Sequence, residues 1–81
     1  MNTATAFAIL TDACAIDQIC YSEAEAKREA LSLNQMGFDV QIWTGSAEQV
    51  DNAETIIHTY HSATSALREA GCRRVHTYLP R

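Results

Sequence analysis

The sequence predicts a single α/β domain, an α+β two-layer sandwich in which a small, mostly antiparallel sheet carries two helices on one face. Three observations carry that prediction. Two segments open on serine capping signals and close on glycine, the start and stop marks of helices. The stretches around them alternate apolar and polar residues with the period of two expected of a half-buried strand. A chain of 81 residues also buries only about 60% of its unfolded surface, too little to share between two cores.

Residues 4 to 11 (Ala-Thr-Ala-Phe-Ala-Ile-Leu-Thr) and 16 to 21 (Ile-Asp-Gln-Ile-Cys-Tyr) read as two strands. Asp12-Ala13-Cys14-Ala15 joins them into a hairpin. Ser22-Glu23-Ala24-Glu25 has the S-x-x-E form of a capping box, and Gly37 stands where a left-handed helix cap is wanted. The first helix is therefore expected over about residues 23 to 36. Phe38, Val40, Ile42 and Thr44 then alternate with Asp39, Gln41 and Trp43, a strand with one buried and one open face.

Ser46-Ala47-Glu48-Gln49 repeats the capping signal, and Gly71 closes one long second helix. At about 100° per residue, Ala53, Ile56, Ile57, Tyr60, Ala63, Thr64, Leu67 and Ala70 share an arc, with Glu48, Asp51, Thr55, His58, Ser62, Ser65 and Glu69 opposite. Arg73 to Leu79 forms a last strand that Pro80 stops. The expected order is β-β-α-β-α-β. Both helices cover one side of the sheet and leave the other side open.

The net charge is −4, and it is unevenly spread: −7 up to Ile57 and +3 from His58 onward. A sequence-independent grip on nucleic acid needs clustered cations, so most of this molecule would repel phosphate and no direct nucleic-acid partner is expected. The apolar start lacks a basic leader and is broken by Asp12, well short of the roughly 20 residues that span a bilayer. Three cysteines without C-x-x-C spacing, Cys14, Cys20 and Cys72, argue for a reducing compartment rather than a disulfide framework. The expected location is the cytoplasm, with no membrane contact.

The constellations that carry chemistry are incomplete. His58 and His61 are three apart on the expected second helix, with Cys72 and His76 beyond it, but the paired spacing of a zinc site is missing. No cysteine or serine stands in a nucleophile motif. Gly37, Gly45 and Gly71 are isolated, so no phosphate-cradling loop exists. No enzyme activity, cofactor or metal is expected, and no catalytic residue is assigned.

A protein-binding surface is the expectation that remains. Trp43 points to the open sheet face with Asp39 and Gln41, where Arg74, His76 and Tyr78 of the last strand can join it, and tryptophan is enriched among interface anchors. Glu48, Asp51, Glu54 and Glu69 on the second helix, with Glu23, Glu25 and Glu29 on the first, can meet a basic groove and speed association by steering. The segment SEAEAKREALSLNQMGFDVQIW, within residues 4 to 44, resembles small α/β proteins of bacteriophages and mobile elements, anti-CRISPR proteins among them. That resemblance implies a stoichiometric, non-catalytic inhibitor of a host protein or complex, whose acidic side chains compete with nucleic acid. The alternative is a small bacterial regulatory or structural homodimer that buries the open sheet face between copies.

Overall fold

The architecture follows from β1 (Thr5–Leu10). The computed structural model describes residues 4–79, and in it every β1 residue from Ala6 to Leu10 is buried. Neighbouring side chains leave a strand from opposite faces. An unbroken buried run therefore means that both faces of this strand are covered.

The run sorts into two cores. Ala6, Ala8 and Leu10 pack with Trp43, Val50, Ala53, Ala63, Ala66 and Leu67, whereas Phe7 and Ile9 pack with Cys20, Ala26, Ala30, Val40 and Ile42. β2 (Gln18–Cys20) pairs antiparallel with one side of β1, setting Cys20 opposite Phe7. The turn between them is held by the Asp12 carboxylate, which accepts the Cys14 amide at 2.7 Å and the Ala15 amide at 3.3 Å. β3 (Val40–Ser46) pairs antiparallel with the other side of β1, from Thr5 opposite Ser46 to Leu10 opposite Gln41. β4 (Arg73–Tyr78) adds antiparallel to β3, giving the order β2-β1-β3-β4.

α1 (Glu23–Gln35) starts where its capping serine predicts: Ser22 Oγ accepts the Glu25 amide at 3.1 Å. It lays Ala26 and Ala30 on the Phe7, Ile9, Val40 and Ile42 side. Small helix residues let the backbone approach a sheet face that carries the large side chains. Gly37, at φ 101°, then turns the chain out of the helix in a conformation that only glycine adopts without strain.

α2 (Ala47–Tyr60) opens on a complete capping box: Ser46 Oγ accepts the Gln49 amide at 3.1 Å, and Gln49 Oε1 accepts the Ser46 amide at 2.8 Å. The expected single long helix ends early. His61 takes the left-handed conformation at φ 52°. Ser62 caps a further helix, α3 (Ala63–Glu69), by accepting the Ser65 amide at 3.2 Å. A straight helix from Ala47 to Ala70 would be about 36 Å long, against about 23 Å for a strand the length of β3. Breaking it folds Ala66 and Leu67 back over the sheet, and the Ala63 amide donates to Ala13 O at 2.7 Å to hold the joint.

The α+β class and the antiparallel sheet are those expected. The order is instead β-β-α-β-α-α-β, and the helices do not share one face. α1 covers one side and α2 with α3 the other, so the open sheet face does not exist. Among the described residues, no helix is long and apolar enough to cross a membrane. Pro80, expected to stop the last strand, lies outside the described residues.

Both-face coverage is testable by denaturation. Enlarging Ala30→Leu overpacks the α1 interface and should cost about 1–3 kcal/mol, while Ala24→Leu on the exposed side of the same helix should stay within about 0.5 kcal/mol. Ser62→Ala removes the α3 cap and should cost about 1 kcal/mol. Equal urea midpoints for Ala30→Leu and wild type would place α1 elsewhere.

Candidate functional site

Glu48, Asp51 and Glu54 are all exposed on α2. A spacing of three steps each one back by about 60° around the helix, so the carboxylates wind across its outer side instead of stacking in a column. Val50 and Ala53, between them in sequence, hold the opposite side on the sheet. No cation lies within ion-pair distance of these acids among the described residues, where the one ion pair joins Glu23 Oε2 to His76 Nε2 at 3.3 Å. The α1 acids Glu23 and Glu25 are also exposed, with Glu29 half-buried. Because α1 and α2 lie on opposite sides of the sheet, a flat basic surface can meet one acidic set at a time.

Trp43 corrects the sequence reading. It does point away from Val40 and Ile42, but onto the face that α2 and α3 cover, and it is only 2% exposed. Its Nε1–H donates to Gln41 Oε1 at 2.8 Å, and the Arg68 guanidinium of α3 stands 5.4 Å from the ring centroid, a cation–π lid. Gln41 and Trp43 are thus brought together as a sealed packing unit, not a docking surface. Arg74, His76 and Tyr78 do not join it as a set: Arg74 sits opposite Trp43, whereas His76 and Tyr78 sit opposite Ile42 and Val40 on the α1 side. Val75 is the extra residue that shifts the register between them.

Asp39 is exposed just before β3 and lines an open hollow of about 240 Å³ with Leu10, Thr11, Asp12, Ala13 and Gln41. The Asp12 carboxylate there is already engaged by the hairpin turn. A second hollow, of about 310 Å³, lies where Gly45, Gln49, Gly71 and Arg73 meet. His58 and His61 do not share a helix face, since His61 leaves the helix in the left-handed conformation. Among the described residues, no three His, Cys, Asp or Glu side chains are grouped to hold a metal ion.

No protein-family model, curated protein or solved structure matches this chain. Its chemistry has to be read from its own side chains. Cys20 and Cys72 are buried, and Cys14 is exposed. Burial, with Glu25 and Glu29 nearby, pushes the Cys20 thiol up to about 11, and burial raises Cys72 as well. A thiol held in its protonated form is a poor nucleophile.

Three contacts escaped the sequence reading. Arg68 over Trp43 joins residues far apart in the chain, which periodicity cannot pair. Gln49 does more than cap: a Cβ on Gly45 or Gly71 would come within 2.8 Å of its carboxamide, so both glycines make room for it. The Ser62 cap was legible, because Ser62-Ala63-Thr64-Ser65 opens with a capping residue just where the apolar arc could restart.

Trp43 emission should be that of a buried indole, with weak acrylamide quenching even in dilute monomer. Arg68→Ala should shift it to the red, and a solvent-exposed spectrum in the wild type would contradict the sealed site. Raising the pH tests Cys20. The unfolded thiol ionises near its usual value of about 9, while the folded one keeps its proton to about 11. The stability it contributes is complete below pH about 9 and is withdrawn as pH rises through that window. Thermal melts of Cys20→Ala should therefore fall less steeply between those limits than those of wild type.

Proposed function

We propose that this protein is a non-enzymatic protein-binding module, a phage-type inhibitor of the anti-CRISPR kind that occludes a host nucleic-acid-handling or defence complex in the bacterial cytoplasm. The observation that supports this most is the outer side of α2. Glu48, Asp51 and Glu54 are exposed there without an ion-pair partner among the described residues, on a helix fixed from behind by Val50 and Ala53. Such carboxylates are accessible to Arg and Lys of a partner, and they act at the encounter step as well as in the complex.

Two features favour this acidic version over an apolar one. Trp43, the apolar anchor expected from the sequence, is buried within the fold. A homodimer that buries an open sheet face is likewise without a surface, because both faces are covered. The target is then a basic groove that otherwise holds a phosphate backbone, and the mechanism is steric and electrostatic occlusion with no bond made or broken.

Affinity capture from bacterial lysate tests the reading. A nucleic-acid-handling complex should be retained at low salt, released at high salt, and displaced by added nucleic acid. The triple variant E48K/D51K/E54K should weaken retention by roughly tenfold or more. Retention that is indifferent to salt and to the triple reversal would sink the acidic mechanism.

A further inference from the structure

We propose that β4 is a self-association edge, through which two copies of this chain pair antiparallel and join their four-stranded sheets into one. This does not rest on the inhibitor reading. The sheet has two edges, β2 and β4. β2 offers three residues, and β4 offers six. The ladder of β4 goes to β3 alone, and among the described residues no backbone bond reaches its outer side. At its exit, the Asn34 carboxamide donates to both Phe38 O and Leu79 O, at 3.0 and 3.1 Å, which holds the end of the strand against α1. A fixed row of unpaired N–H and C=O groups is a template for one more strand.

The charges of β4 select a second copy as that strand, and its direction. Arg73 and Arg74 are exposed at the first end, and neither has an ion-pair partner among the described residues. Parallel addition would stack arginine on arginine, which like-charge repulsion disfavours. Antiparallel pairing over the full strand instead sets Arg73 opposite Tyr78, Arg74 opposite Thr77, and Val75 opposite His76 of the second copy. The guanidinium groups of Arg73 and Arg74 are then kept apart from those of the second copy's β4.

That register also supplies partners. Residues directly opposite in an antiparallel pair project from the same face. Arg73 lies on the α1 side, as do His76 and Tyr78, because their β3 neighbours Thr44, Ile42 and Val40 alternate on that face. Each Arg73 therefore extends over the Tyr78 ring of the other copy, toward the Glu23 carboxylate bonded to His76. Glu23 is exposed, and among the described residues that histidine is its one ion-pair partner. The contact is self-complementary, as a two-fold interface requires. Its axis runs through the sheet, so both copies present α2 to the same side.

Sedimentation velocity from micromolar to millimolar protein tests this, with circular dichroism to confirm that each variant is folded. Wild type should show a concentration-dependent dimer. R73E should raise its dissociation constant by roughly tenfold or more, and the swap E23K/R73E should restore most of the loss. Hydrogen exchange should show the β4 amides that face away from β3 protected at high concentration and not at low, while those bonded to β3 stay protected throughout. A monomer at every concentration overturns the proposal and leaves the edge to an extended segment of another protein. A dimer that ignores both R73E and the swap overturns it too, by placing the interface elsewhere.

Discussion

The rest of the structure depends on the complementary sizes of side chains on the two faces of β1 and β3. On the α1 side the sheet carries Phe7, Ile9, Val40 and Ile42, and the helix brings alanines. On the other side β1 offers the small Ala6 and Ala8, and the bulk is shared between Leu10 and Trp43 of the sheet and Val50 and Leu67 of the helices. Interiors are packed to crystal-like density, so neither face would accept the other's helix without voids or overlap. A short chain thereby secures two cores from one pair of central strands.

Most elements were legible in the sequence, and their assembly was not. Capping serines and terminal glycines place α1 and the start of α2, because those signals act within a few residues. The β1–β2 hairpin and β4 follow from alternation and turn residues in the same way. What failed was the inference from two amphipathic helices to one shared face. The contrary signal was present in Ala6-Phe7-Ala8-Ile9-Leu10, an unbroken apolar run of the kind found in strands buried on both sides. Reading it as one half of an alternating hairpin hid the second layer.

The candidate site divides along the same line. Glu48, Asp51 and Glu54 are where helical periodicity puts them, since exposure on a helix is a local property. Trp43 is not, because its orientation was legible but its cover was not: Arg68 reaches it from a helix that exists only through the break at His61. Gln49 shows how tightly such non-local parts are interlocked. Its carboxamide caps α2 and fills the space that a Cβ at Gly45 or Gly71 would need, so the start of α2, the end of β3 and the turn before β4 pack around one side chain.

The pairing of Thr5 with Ser46 and of Leu10 with Gln41 has a consequence for how the chain comes into being. The two central strands are separated by the hairpin and all of α1, so closing the middle of the sheet is a long-range event that local helix formation cannot replace. On a ribosome, β1 emerges with its apolar residues on both sides and must wait for β3, with only β2 and α1 to shelter one edge and one face. The second face stays bare until α2 and α3 follow. The most deeply buried strand of the finished protein is thus the one exposed longest during synthesis, and the interval of greatest aggregation risk falls between the appearance of α1 and that of α3.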